Sequence, residues 1–266
     1  MSIEFDEATR KSAEHLIELG LQEDLRDRGD LTCQSTIPES LNASVNIVSR
    51  QTGVLSGLVV IPAVFNRLPG NITWTLHLHD GDAVERGSLV ATITGPVRSL
   101  LIGERTVLNF MTHLSGIATR TAEFVRAVQG TRAVILDTRK TIPGYRLLQK
   151  YAVRCGGGTN HRMGLYDGVL IKDNHIAICG SIRAAVERAR SGTPILTKIE
   201  VECETLDQVA EAVEAGADVV LLDNMDPFMM REAVRNFGGT QVLFEASGGI
   251  TLDTVAMVAN TGVDLI

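Results

Sequence analysis

From Ala133 onward, short apolar runs alternate with stretches of helical periodicity. The runs are AVILD, GVLIK, PILTKIEVE, DVVLLD, QVLFE and VDLI, and most finish in charged or small polar residues. The helix signals between the later runs have physical causes. Thr205 and Gln208 form a capping-box pair; Leu206, Val209, Ala210 and Val213 then share one helical face, with Gly216 past the end. Asp226-Pro227 supplies an N-cap followed by proline at the first helical position. Strand–helix repeats with short connections predict a parallel sheet. The polar groups at the strand ends are Asp137–Lys140, Lys172-Asp173, Glu200 and Glu202, Asp223-Asn224, and Glu245–Gly249. A parallel α/β barrel gathers the C-terminal ends of its strands at one mouth, so these groups predict a barrel with a shared site there.

The first half is patterned differently. Asp6–Leu19 reads as a helix that Gly20 is placed to end, and a polar loop, EDLRDRGDLT, follows. Ala43–Thr94 carries short alternating runs such as VNIVSR and ITWTLHLH, which predict a small β layer. Within it, DGDAVERGSLVATITG has the glycine spacing of a lipoyl- or biotinyl-carrier sandwich, but Asp80–Pro96 contains no lysine to carry the group. His77 and His79 share a strand face; two ligands without a third read as a surface pair. Val97–Gly130 is helical in composition, and a domain boundary is expected near Leu114–Gly116, giving domains 1–114 and 115–266.

The 266 residues are 44% hydrophobic and 21% charged, as in ordinary globular chains. A net charge of −7 disfavours nucleic acid and anionic membrane as partners. The longest near-apolar stretch, VLSGLVVIPAVF, is too short for a membrane span. The N-terminus lacks an apolar signal core, and four cysteines form no C-x-x-C pair, so a cytoplasmic protein is expected.

Charge is distributed unevenly. Thr138–Lys172 holds seven basic residues and one acid, net +6, which leaves −13 for the remainder. Arg146, Lys150 and Arg154, four apart, read as a solvated helical stripe. Arg139, Lys140, Arg162 and Lys172 fall in loops or at strand ends and read as an anion trap. Gly156–Gly158 reads either as an anion-facing loop or as a hinge. Glu202 and Asp223 at the same mouth would repel a polyanion unless a cation intervened, and Mg2+ is the expected one. Ser247–Gly249, between a strand and a helix, is placed to hold a phosphate. The residues alone thus indicate a barrel enzyme acting on carboxylate and phosphate anions with Mg2+.

The block DTRKTIPGYRLLQKYAVRCGGGTNHRMGLYDGVLIKDNH, Asp137–His175, resembles the signature region of the quinolinate phosphoribosyltransferases. EDLRDRGDLT, GERTVLNFMTHLSGIAT, KIEVE, LLDNM and EASGGI extend the resemblance over nearly the whole chain. It implies an N-terminal α/β sandwich domain plus an incomplete parallel α/β barrel, the type II phosphoribosyltransferase architecture, in a homodimer. It also implies transfer of phosphoribosyl from 5-phosphoribosyl-1-pyrophosphate to quinolinate with Mg2+, giving nicotinate mononucleotide, carbon dioxide and pyrophosphate for NAD biosynthesis. By this resemblance Arg139, His161, Arg162 and Lys172 surround the quinolinate carboxylates, with Thr138 in the same substrate-binding run. Lys140 lies near the reacting centre and pyrophosphate, and Glu202 and Asp223 lie by the ribose and the metal. Ser247, Gly248 and Gly249 contact phosphate, and Arg105 reaches into the partner's site. Family members continue past the last strand with a Ser-x-Gly phosphate loop and a closing helix, whereas this chain stops at Ile266, so the closing segment is expected to be missing.

Overall fold

A computed structural model describes residues 3–239 and 241–266. It divides into two compact units. One takes the chain up to Ala122 together with Lys140–Gly158; the other takes Glu123–Arg139 with Thr159–Ile266.

The first unit opens with α1 (Glu7–Leu25), whose N-terminus is capped by the Asp6 carboxylate accepting from Thr9 N at 2.8 Å. Gly20 does not end this helix. Ala13, Ile17 and Leu21 form a buried stripe four residues apart, and burying Leu21 outweighs the roughly 1 kcal/mol that glycine costs a helix interior. α2 (Leu31–Thr36) is capped by Asp30, inside what the sequence presents as a loop. The predicted β layer is present. β1 (Asn42–Val48), β3 (Thr73–Leu76) and β5 (Leu89–Pro96) form an antiparallel sheet in the order β1-β5-β3. β2 (Gly53–Val54) pairs with β4 (Ala83–Val84), and α3 (Val60–Phe65) follows β2 in the chain. Val90 and Ile93 from the sheet, Ile61 and Phe65 from α3, and Val107, Phe110 and Leu114 from α4 (Val97–Ala127) share one core. α4 runs unbroken through Leu114–Gly116.

α5 (Arg146–Cys155) corrects one expectation, because its basic residues are not a solvated stripe. Lys150 is 1% exposed. Arg154 lies over the Tyr151 ring and donates to Glu4 O at 2.9 Å. The helix is covered on more than one side, and long basic stems pack along apolar surface. Gly156–Gly158 terminates this helix and is not an anion-facing loop. Its three N–H groups donate to Ala152, Arg154 and Val153 carbonyls, and a Cβ on Gly156 would stand 2.3 Å from Ala118 O.

The second unit alternates strand and helix. In chain order it contains β6 (Val169–Ile171), α6 (Asp173–Cys179), α7 (Ile182–Gly192), β7 (Ile199–Cys203), α8 (Leu206–Glu214), β8 (Val219–Asp223), α9 (Pro227–Phe237), β9 (Leu243–Ser247) and α10 (Leu252–Ala259). The strands are parallel in the order β6-β7-β8-β9. The predicted capping box at Thr205/Gln208 and the Asp226-Pro227 start are both present. Two expected strands, AVILD and VDLI, are reduced to isolated bridges. Leu265 pairs with both Glu245 and Val134, and Leu136 pairs with Thr159. They carry the parallel pairing beyond β9 toward barrel closure, but each touches its neighbours over too few residues to be a strand. The strand expected over PILTKIEVE is β7 alone, from Ile199; before it, the exposed Ile195 and Leu196 lie in a turn that Thr197 N closes on Pro194 O. Among the described residues, no helix is long and apolar enough to cross a membrane.

Candidate active site

Side chains alternate across a strand, and here the alternation separates two kinds of residue. Ile199, Val201 and Cys203 of β7, Val220 and Leu222 of β8, and Phe244 and Ala246 of β9 pack with the helices in one apolar core. The opposite parity faces the barrel interior. It carries Lys172 just past β6, Glu200 and Glu202 on β7, Asp223 on β8, and Glu245 and Ser247 on β9. Four of the expected site residues therefore share one face of one sheet.

At the strand ends, Lys172 Nζ donates to Glu202 Oε2, so a cation and an acid expected to serve different substrate groups are paired. Asp223 Oδ2 accepts from Asn224 Nδ2 at 2.8 Å. Asn224 has φ +52°, and its N–H donates to Ser247 O at 2.9 Å. This locks the β8 end onto the Ser247–Gly249 loop. Gly248, at φ +97°, has no room for a side chain: a Cβ would lie 2.1 Å from Asn224 Oδ1. Gly249 is also in the left-handed region, so successive positive φ values shape a loop running into α10.

The remaining residues of this unit's site come from irregular segments. Asp137 anchors the 159–168 loop, accepting from Asn160 Nδ2 at 2.6 Å and from His161 N at 3.0 Å. Asp167 caps its far end, accepting from Met163 N and Gly164 N at 2.6 and 2.9 Å. Between these anchors Arg162 is half-buried and donates to Gly168 O at 3.0 Å. Its guanidinium is pulled below its ordinary range, first by burial and then by the positive charge of Arg139. Two guanidiniums held close enough to repel one another form a local positive field that favours an anion. Thr138, beside Arg139, is exposed.

His161 joins a cluster that sequence reasoning did not assign. Its Nε2 lies 2.9 Å from Glu200 Oε2 and 3.6 Å from Glu245 Oε2. Glu200 and Glu245 are 5% and 8% exposed, and burial with the neighbouring Glu200 charge lifts the Glu245 carboxyl to about 8. The sequence signal was an inward glutamate on each of two mostly apolar strands, Glu200 beside Glu202 on β7 and Glu245 on β9. Among the described residues these three form the one group of His, Cys, Asp and Glu with metal-ligand proximity. His77 and His79 do not join such a group: His77 contacts Thr92 Oγ1 and His79 lies by Asp82. Arg105 and Lys140 belong to the first unit, where both are exposed, Arg105 on α4.

The whole chain has known relatives. Residues 30–115 match the family model for the quinolinate phosphoribosyl transferase N-terminal domain, and residues 117–266 match that for the C-terminal domain. The chain is 47% identical over 241 residues to the probable carboxylating nicotinate-nucleotide pyrophosphorylase of Bacillus subtilis (strain 168), covering 90% of this chain and 82% of that one. It is 42% identical over 259 residues to the carboxylating nicotinate-nucleotide pyrophosphorylase of Mycobacterium leprae (strain TN), covering 96% and 91%. The structure of the nicotinate-nucleotide pyrophosphorylase from Francisella tularensis superposes with a TM-score of 0.92 at 40% identity, covering 96% of this chain and 89% of that one.

Proposed function

The chain belongs to the quinolinate phosphoribosyltransferase family, and from that premise we propose how its residues carry out the family's reaction. It transfers a phosphoribosyl group from 5-phosphoribosyl-1-pyrophosphate to quinolinate with loss of carbon dioxide, in NAD biosynthesis. The observation that supports the site assignment is the inward row of Lys172, Glu202, Asp223 and Ser247, together with Arg139 and Arg162, whose segments Asp137 ties together through its bonds to Asn160 and His161.

Arg139 and Arg162 bind the quinolinate carboxylates, and their planar forks fix the ring's orientation. On substrate entry Lys172 exchanges its bond to Glu202 for a substrate carboxylate. This frees Glu202 to join Asp223 in stabilising the positive charge that develops on the ribose as its bond to pyrophosphate breaks. The attacking pyridine nitrogen is neutral and needs no general base. Once ribosylated, that cationic nitrogen stabilises the electron pair left on the adjacent ring carbon as its carboxylate departs as carbon dioxide, and that carbon then takes a proton from water. Ser247–Gly249 holds a phosphate through the loop backbone and the start of α10.

Glu202 and Asp223 offer hard oxygen donors near a phosphate loop, a set that fits Mg2+, which binds through one or two carboxylates plus water and phosphate. Held by Glu202 and Asp223, Mg2+ would supply positive charge against the pyrophosphate leaving group. Lys140 assists there, and Arg105 acts in the neighbouring subunit's site of a homodimer. Cys33, Cys155, Cys179 and Cys203 are all free thiols, which suits an enzyme of the reducing cytoplasm.

Incubating the protein with Mg2+, 5-phosphoribosyl-1-pyrophosphate and either quinolinate or nicotinate tests the reading. Carbon dioxide must appear only with quinolinate, and equal turnover of nicotinate would refute the assignment. Mixing Arg105→Ala with Lys140→Ala protein tests the shared site, because hybrid dimers should regain activity that neither variant has alone.

A further inference from the structure

Inward side chains from alternate strands of a parallel barrel share a layer, which is why Glu200 of β7 and Glu245 of β9 meet although β8 runs between them. Their side chains are only 7% and 10% exposed, and both converge on His161. The orientation of the ring is determined from its other side. Arg162 N donates to His161 Nδ1 at 2.7 Å, and a ring nitrogen that accepts carries no proton, so the imidazole proton sits on Nε2 and points at the two carboxylates. One acceptor suffices for that proton. Glu200 Oε1 and Glu245 Oε2 nevertheless have no hydrogen-bond partner, and two buried anions side by side are expensive.

We propose that Glu245 is a positioning residue that works in its protonated form: its O–H closes on Glu200, the pair keeps one negative charge, and that single anion holds His161 as a neutral imidazole with Nε2–H. The groups facing Glu245 are consistent with this. Glu200 approaches from β7 and His161 from the 159–168 loop, while the register neighbours Leu221 and Leu265 are apolar. Asp264, next along, is committed to Arg132 and to Phe244 N. Burial and the Glu200 charge both favour the protonated carboxyl.

The consequence for chemistry rests on the quinolinate reading. The pyridine nitrogen attacks only while unprotonated. An imidazolium beside the arginine pair would be an acid able to protonate it, whereas a neutral ring whose sole N–H is committed to Glu200 is not. The arginines thus supply positive charge that cannot be passed on as a proton.

Two measurements test this. In steady-state kinetics between pH 6 and 9.5, wild-type kcat/KM for quinolinate should fall on the alkaline side as Glu245 ionises. Glu245→Ala should raise the quinolinate KM about tenfold at neutral pH, with the KM for 5-phosphoribosyl-1-pyrophosphate nearly unchanged. Glu245→Gln, which keeps a neutral donor, should restore most of that loss and abolish the alkaline limb. A Gln variant as impaired as the Ala variant, or one that retains the limb, overturns the proposal. The second readout needs no substrate. In 15N-histidine NMR at pH 7, the signal lost in His161→Gln should report a neutral ring protonated at Nε2. A doubly protonated ring overturns the proposal, as does Mn2+ broadening this signal in the wild type but not in Glu245→Gln, which would make the cluster a cation site. Absence of quinolinate turnover with the expected NMR signature would instead reject the substrate reading and leave the cluster as described.

Discussion

In the first unit, Asp80 accepts from Leu58 N at 2.9 Å and from the buried Tyr151 hydroxyl at 2.7 Å, while Ser56 exchanges hydrogen bonds with Ser115 and donates to Cys155 Sγ. In the second, Glu200 and Glu245 crowd one histidine, and each leaves a buried oxygen without a hydrogen-bond partner. Both clusters bury polar atoms among strands and helices, yet only the first is satisfied without a proton shared between two carboxyls. A satisfied network fixes a fold at little net cost, whereas incomplete satisfaction is retained where the groups have another use. The same contrast appears in the local charge. Tyr151 and Cys155 are driven toward their neutral forms chiefly by burial, while Arg162 stays charged against both burial and Arg139. The first cluster serves stability; the second is stability set aside for chemistry.

Substitutions in the two units should move different quantities. Arg139→Gln should lower kcat/KM for quinolinate by about 30- to 4000-fold, the equivalent of ~2–5 kcal/mol for losing one side of a desolvated ion pair. Its Tm should move less than that of Tyr151→Phe, and a large thermal loss with activity per folded molecule preserved would assign Arg139 to the scaffold. Tyr151→Phe leaves one Asp80 oxygen short of a donor. It should cost about 1–3 kcal/mol, seen as a Tm lower by about 3–8 °C with kcat and both KM values unchanged.

Glu245→Gln sharpens the contrast through pH. A carboxyl raised in the folded state from its ordinary 4.5 to about 8 contributes its full stability below 4.5 and loses it as pH rises toward 8. Differential scanning calorimetry should therefore show the Gln variant melting a few degrees above wild type at pH 8, with the difference shrinking toward pH 5. A difference that grows on acidification would contradict the assignment. The smallest effect is expected away from both clusters. A Cβ on Gly20 would meet only Thr106 Cγ2, at 3.8 Å, so Gly20→Ala should stabilise by about 0.4–1 kcal/mol in denaturant melts and leave activity alone.

Much of this architecture was legible in the chain. The capping box at Thr205/Gln208, the Asp226-Pro227 start, the four principal parallel strands and the polar strand ends follow from local pattern, because capping and period-two alternation depend on neighbours a few residues away. The Asp137–His175 block similarly carried the family, and with it the candidate residues. Other features depend on groups far apart in sequence and arise only once the chain is folded. Gly20 stays helical because Leu21 finds a core, and Lys150 is buried because α5 is covered on more than one side. AVILD and VDLI shrink to bridges because they meet their neighbours over so few residues. Glu200 and Glu245 stand 45 positions apart, and the alternation that turns each of them inward does not say which groups they meet. Alternate-strand layering makes them a pair and sets both against His161, since a side chain's charge state follows from what surrounds it in space and not from what flanks it in the chain.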